Sequence, residues 1–305
     1  MMSKNVVYRN GNYLVMLDPD SGTKIRYNSG DSLMPEFPES IDVCISKKCV
    51  IGCEFCHERC TPDGKHADLM GLRFIDSLHP YTELALNGND PIHPNLVPFL
   101  EKCKSLKLIP SLTVNYKTFK KNIEFLKLLC DKKLIYGLGV SIDGVEVDDD
   151  GSASTMLSML KMFPNLVLHA INGIIRVSDL ELLSHNDLKL LILGYKSFGR
   201  GIEFMGYNGL EVLCNQSELY DKLPEIVEEE WFEVTSFDNL GIEQLDPKRL
   251  MTERDYSRFY MGEDGNFTFY IDAVNGKFAR CSTATERYDI TDDVKEMFDV
   301  IRYGG

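Results

Sequence analysis

Cys49, Cys53 and Cys56 stand at spacings of four and three, with Phe55 just before the last of them. Three thiolates this close in sequence can hold three irons of a cubane iron–sulfur cluster and leave the fourth iron without a protein ligand, which is where chemistry can occur. A ferredoxin-like electron carrier needs a fourth cysteine at a suitable position, and a structural zinc site normally pairs two Cys-x-x-Cys or Cys/His elements. Neither partner pattern is obvious in this chain. Spacing alone leaves a catalytic cluster, a carrier cluster, zinc and coincidence as readings.

The run Cys49-Val50-Ile51-Gly52-Cys53-Glu54-Phe55-Cys56 resembles the signature of the radical SAM superfamily. The resemblance implies that S-adenosylmethionine (SAM) chelates the open iron through its amino and carboxylate groups, with Phe55 beside the adenine. Asn87-Gly88-Asn89-Asp90-Pro91 resembles the family's Gly-Gly-Glu-Pro motif, whose backbone and acid hold the SAM amino group. Gly88 and Pro91 match that motif, while Asn89 replaces a glycine and Asp90 shortens the glutamate. Val140-Ser141-Ile142-Asp143-Gly144 resembles the Ser-x-Asp-Gly of peptide-modifying members. In those proteins polar side chains, here Ser141 and Asp143, contact the ribose or methionyl part of SAM. Ile171-Asn172-Gly173 loosely resembles the Ile-x-Gly element near the adenine, which makes Asn172 a cofactor contact, although Arg176 stands where an acid usually follows. Lys196 lies in the glycine-rich basic stretch Gly194 to Gly201 and could meet the SAM carboxylate or a substrate anion; that stretch lacks the spacing of a phosphate-binding Walker loop. Pro38-Glu39-Ser40-Ile41-Asp42, Cys56-His57-Glu58 and Gly64-Lys65-His66-Ala67 look like a stand-alone, often phage-encoded branch whose substrate is generally unassigned.

The function this resemblance implies is reductive cleavage of SAM at one 4Fe-4S cluster. The electron comes from a flavodoxin or ferredoxin, and the product is a 5′-deoxyadenosyl radical that abstracts hydrogen from a substrate. A peptide or protein side chain is the favoured substrate, and a nucleoside or small metabolite is the alternative. A non-catalytic iron–sulfur or zinc protein is the rival from a different class. Only Cys214 and Cys281 lie beyond residue 130, too few for an auxiliary cubane held by cysteines alone, so one cluster is expected.

Such a loop must be carried by a framework. The 305 residues suit one large α/β domain with appendages. An apolar share of 44% and a charged share of 26% are those of an ordinary globular protein, and no apolar run approaches the roughly 18 residues that span a bilayer. The start lacks the apolar core of a secretory signal, so a cytoplasmic protein that meets no membrane is expected. Nine cysteines in a reducing compartment point to thiol or metal use rather than disulfides. The net charge of −14 opposes duplex nucleic acid, whose binding rests on neutralising phosphates with Lys and Arg. The acidic runs 148–150 and 228–230 read as solvated loop or helix ends.

Residues 1–38 read as a small β-meander and linker, because Asn10-Gly11 and Asp18-Pro19-Asp20-Ser21-Gly22 separate β-branched and aromatic runs. From residue 39 to 215, short apolar runs alternate with helix-like stretches. They begin at Ser40, Glu83, Ile109, Ile135, Leu166 and Leu188. This alternation predicts βαβ units on a parallel sheet; six of them fit the partial (β/α)6 TIM-like barrel that the family resemblance implies. In such barrels function sits at the C-terminal ends of the strands, where the motifs above fall. Residues 216–305 are expected to form a small α+β extension with a hairpin turning at Asn275-Gly276. Cys44, Cys103 and Cys130 read as packing residues. His57, His66 and His93 read as hydrogen-bonded loop histidines, with His57 near enough to the cluster for hydrogen bonds to tune it.

Overall fold

The computed structural model describes residues 5–30, 32–143 and 153–304; Gly144, Asp31 and the acidic run 148–150 lie outside the described residues. Strands β1 (Val6–Asn10), β2 (Tyr13–Leu17) and β3 (Lys24–Tyr27) form an antiparallel meander. Its first turn is a two-residue loop in which Gly11 takes φ +58°, a conformation that glycine adopts without a Cβ penalty. The alternation Tyr13, Val15, Leu17 puts one face of β2 in the interior and leaves Leu14 and Met16 outside.

After the meander come β4 (Ser40–Cys44), β5 (Glu83–Gly88), α1 (Leu96–Ser105), β6 (Ile109–Asn115), α2 (Tyr116–Lys121), α3 (Ile123–Asp131) and β7 (Gly137–Ser141). They continue as α4 (Ala153–Leu160), β8 (Leu166–Ile171), α5 (Val177–Leu183), β9 (Lys189–Leu193), α6 (Arg200–Glu228) and β10 (Val234–Phe237). The chain ends with α7 (Asn239–Leu245), α8 (Glu253–Phe259), β11 (Thr268–Asp272), β12 (Lys277–Ala279), β13 (Tyr288–Asp289) and α9 (Val294–Tyr303). Ten of these strands make one sheet in the order β10-β9-β8-β7-β6-β5-β4-β11-β12-β13. The pairs from β10 through β4 to β11 are all parallel, and the hairpin strands β12 and β13 are antiparallel.

Each of β5 to β10 therefore lies beside its predecessor, with helical segments crossing between most of them, as short βαβ units require. The six apolar runs became β4 to β9. Their alternation sorts the two faces: Leu84, Leu86, Leu112, Val114, Leu138, Val140, Leu168, Leu190 and Ile192 are buried in one core with Phe99, Leu126, Leu160 and Leu180 of the helices. Burying a side chain of this size is worth about 1.5–3 kcal/mol, so the helix layer holds the sheet. The residues between them, among them Asp42, Asn87, Thr113, Ser141 and His169, face the other side and are not covered by that core.

The sheet continues past residue 215, where the extension was expected to begin. Helix α6 runs through that position with a break in its dihedrals at Asn208, and β10 and β11 add to the two ends of the parallel array. Strand β11 satisfies the edge of β4, whose N–H and C=O groups would otherwise be open. The hairpin β11–β12 has the expected turn, with Gly276 at φ +65°. Among the described residues no helix is long and apolar enough to cross a membrane.

Candidate functional site

The three cysteines lie in the segment that leaves the C-terminal end of β4. Asn87 on β5 holds its start: the side-chain oxygen accepts from the Ile45 amide at 2.6 Å, and the side-chain amide donates to the Ser46 carbonyl at 2.7 Å. The Cys49 amide donates to Thr61 O and the Val50 amide to Asp90 O, both at 2.8 Å. Gly52 then turns at φ +76°, and the Cys56 amide closes a turn on Cys53 O at 3.2 Å.

The other side of the loop is clamped by the start of α6. The Arg200 guanidinium donates to Cys53 O at 2.8 and 3.2 Å and to Cys60 O at 2.9 Å, while the Arg200 amide reaches Cys56 O at 3.2 Å. This approach needs Gly199, because a Cβ there would stand 2.1 Å from His57 O and its φ of +58° already favours glycine. Phe55 packs edge-on against Phe204 of α6, with ring centroids 5.8 Å apart. Below the loop, Tyr270 of β11 donates to Glu58 at 2.6 Å, and Lys47 pairs with Asp272 at 2.7 Å and Glu58 at 3.3 Å. Strands β4, β5 and β11 and helix α6 together fix the loop.

The thiols act on one another. Burial, followed by the neighbouring Cys56 and Cys49, pushes the Cys53 thiol up to about 11. Cys56 is held down by a hydrogen bond from the Cys60 thiol, with the Arg200 charge helping, and Cys60 is raised in turn. Cys53 and Cys60 thus hold their protons beside a more acidic Cys56, and a cationic group that takes thiolates displaces such protons on binding. The donor chemistry thus fits an iron–sulfur cluster. Among the described residues no three His, Cys, Asp or Glu side chains converge as one metal-ion group. A cubane takes one thiolate per iron.

Around the loop, the residues singled out in the sequence divide into two groups. Phe55 and Lys196 line a cavity of about 50 Å³ together with His57, Ile171, Leu193, Gly194 and Tyr195, between the cysteine loop and the ends of β8 and β9. His57 is held neutral chiefly by burial and also by the charges of Lys196 and Lys47. Asp143 is buried, accepts from the Ile171 amide at 2.7 Å, and is pushed up to about 7 by burial. It is close enough to the loop for its charge to act on Cys53. Ser141 is half-buried at the end of β7 on the uncovered face.

The second group is turned to holding the framework. Asp90 is buried, with Lys121 of α2 at 3.1 and 3.2 Å from its two carboxylate oxygens, while its carbonyl serves the Val50 amide. Asn89 donates to Ser46 O at 2.7 Å and to the Cys60 sulfur at 3.5 Å. A Cβ on Gly88 would meet Val114 at 2.6 Å, so this glycine lets β5 and β6 pack, and Pro91 leads the chain out to the exposed side. Asn172 donates to Gln244 at 3.0 Å, and its own side-chain oxygen is buried without a partner among the described residues. Cys44 is buried beside Tyr270, and Cys103 is buried in the core. His66 meets Ser46 Oγ at 2.9 Å and His93 meets Ala67 O at 2.8 Å, as loop histidines would.

Several residues of the site were not singled out in the sequence. Asp42 lies on the uncovered face of β4, beside Tyr270 and Ala85 in register. A lone acid inside the apolar run Ser40 to Ile45 was the available signal. His169 covers Gly139, where a Cβ would stand 2.7 Å from its ring, and burial pushes its imidazole down to about 4. Lys196 also borders a second, larger cavity of about 570 Å³, reached past Asp42, Asp238 and Ser282; its ammonium donates to Ser282 Oγ at 3.0 Å. No protein-family model and no curated protein matches the chain.

Proposed function

We propose that the chain is a radical SAM enzyme. The observation that carries this reading is the position of the cysteine loop: it leaves the C-terminal end of a strand in a sequentially ordered parallel sheet and backs onto a small cavity that opens beside a large one. We read the array β4 to β9, flanked by β10 and β11, as a partial TIM-like barrel whose uncovered polar face is its interior; ligands in barrels bind at the C-terminal ends of the strands. Cys49, Cys53 and Cys56 would hold a single 4Fe-4S cluster. With SAM on its open iron, that cluster supplies one-electron cleavage of the sulfonium and hydrogen abstraction from a substrate.

This chain's residues then have separable tasks. Arg200 and Asn87 hold the loop carbonyls and its entry strand, so the thiols keep their places. Phe55, Ile171 and Leu193 offer the apolar wall for an adenine. Neutral His57 and the half-buried Ser141 offer hydrogen bonds without adding charge near the thiolates. Lys196, between the two cavities, is placed to meet a carboxylate. Asp90 would need to leave Lys121 to bind an amino group through its side chain; the alternative is that the β5 end serves SAM through backbone alone. The favoured substrate is a peptide or protein side chain and the electron donor a flavodoxin or ferredoxin, with a cytoplasmic setting.

The test is direct. Protein purified without oxygen should carry about four irons per chain and, with dithionite and SAM, release 5′-deoxyadenosine. Zinc in place of iron, or full iron without SAM cleavage across a panel of peptides and nucleosides, would overturn the reading.

A further inference from the structure

The large cavity has an unusual balance of charge. Its walls include five carboxylates, Asp42, Asp238, Glu243, Glu263 and Asp264, against one ammonium, Lys196. Three of the five are engaged by neutral donors. Asp238 accepts the Gly194 and Gly241 amides at 2.8 and 2.7 Å, Asp264 accepts from Asn239 at 2.7 Å, and Glu263 accepts from the Tyr260 hydroxyl. None of these donors cancels a charge. Asp42 opens onto the cavity from the middle of a strand and has no hydrogen-bond or ion-pair partner among the described residues.

Carboxylates gathered on one cavity wall without a counter-charge repel one another, and such groups are normally paired or neutralised. Here burial pushes Asp42 up to about 6; Lys196 draws it down, while Asp264 and Asp238 raise it further. Lys196 is already in use by Ser282 and stands on the side toward the cysteine loop. Beside the acids, Tyr256 and Tyr260 stack with centroids 5.3 Å apart at 14° and give the cavity an aromatic wall. Lys248 lies 5.3 Å from the Tyr256 ring centroid and does not line the cavity. The missing counter-charge is one that a ligand can bring.

We propose that this cavity receives a cationic group of the substrate, an ammonium or guanidinium, which pairs with Asp42 and Asp264 while its stem lies along Tyr260. The inference deepens the radical SAM reading, because it names the substrate class of the cavity next to the cysteine loop. It does not need that reading for its test. A guanidinium or ammonium gains here twice: it meets opposite charge in a partly desolvated site, and it can lie over a tyrosine face. An anionic group would face at least four uncompensated like charges.

The experiment measures binding to anaerobically reconstituted protein by calorimetry. The probes are the capped peptide Ac-Ala-Arg-Ala-NH2, its neutral citrulline isostere, Ac-Ala-Glu-Ala-NH2 and the free amine agmatine. The arginine peptide or agmatine should bind at least about tenfold tighter than the citrulline peptide, a gap of about 1.4 kcal/mol, and the glutamate peptide weakest. Whichever of the two cations binds tighter identifies a peptide or a free amine as the source. The gap should shrink severalfold in Asp42→Asn and in Asp264→Asn, and persist in Glu228→Gln, an acid outside the cavity. Thermal unfolding confirms that each variant is folded, and Glu263→Gln replaces Asp42→Asn should the latter fail to fold. Equal binding of all probes, absence of binding by any, or a charge preference untouched by the cavity variants would overturn the inference. SAM cleavage measured in parallel separates the two ideas: a charge preference without 5′-deoxyadenosine sinks only the radical reading, and the converse sinks only this one.

Discussion

At the scale of single residues, the three cysteines of the loop can be told from their neighbours by what each touches. Cys49, Cys53 and Cys56 sit half-buried in the loop, whereas Cys44 is packed beside Tyr270 and Ala279. Cys60 is the demanding case, because its thiol hydrogen-bonds to Cys56 and receives the Asn89 amide at 3.5 Å. Replacing Cys49, Cys53 or Cys56 with Ala should remove the broad visible absorbance and most of the iron of an anaerobic preparation, since thiolates hold cluster iron. Cys44→Ala and Cys60→Ala should keep both. Loss of iron in a folded Cys60→Ala protein would make it a fourth thiolate, close the open iron and remove the site for SAM. The gathering of three cysteines in one loop was legible in the sequence, because spacing within one loop is a local property. Asp90 shows the limit: its motif position was readable, but its pairing with Lys121 depends on where α2 packs. Asp42 was hidden for the same reason, since a polar residue in a strand declares its alternation and not what faces it.

At the scale of elements, the six apolar runs became strands because helices cover one face of each, and that pattern repeats along the chain. How the N-terminal meander attaches was not legible, because it depends on side chains distant in sequence meeting at one point. Glu39, just before β4, is 1% exposed and pairs with Arg26 at 3.0 Å and Lys24 at 3.3 Å, both on β3, while the Tyr13 hydroxyl of β2 donates to it. Burial alone would push the Glu39 carboxyl up, but Lys24, Arg26 and the hydrogen bonds from Arg26 and Tyr13 outweigh it and hold the group below its ordinary 4.5. A carboxyl lowered by folding stabilises the protein fully above 4.5 and loses that contribution as pH falls below it. Glu39→Gln leaves two buried cations short of a partner, which costs about 3–5 kcal/mol. The lower end applies because Lys24 keeps Glu83 at 2.7 Å. Urea unfolding should show that loss at pH 7, and the wild-type decline below pH 4.5 should flatten in the variant. Equal stability of the two proteins at pH 7 would mean that the meander is held by its apolar face alone.

At the scale of the whole molecule, the order of the sheet decides what the C-terminal residues are. Residues 216–305 read in sequence as a small α+β extension, because strand pairing across the length of a chain leaves no local mark. Strand β11 pairs in parallel with β4, so the last part of the chain lies against the strand that carries the cysteine loop. It also supplies Tyr270 to Glu58 and Asp272 to Lys47, contacts that reach the loop itself. Phe269, Ile271, Phe278, Val294, Met297 and Phe298 are all buried in the same core as the parallel strands β4 to β9. Each such side chain is worth about 1.5–3 kcal/mol when buried, and their combined loss rivals the entire net stability of a domain, about 5–15 kcal/mol. A chain ended after Tyr260 should therefore fail to unfold cooperatively and should aggregate through the open edge of β4, rather than persist as a smaller folded protein. Size-exclusion chromatography and thermal unfolding of that truncated chain, beside the full one, check this. A monomer with an unchanged melting temperature would show that β4 to β10 fold alone; the loop contacts of Tyr270 and Asp272 and the cavity wall of Asp264 would then be additions to a complete scaffold.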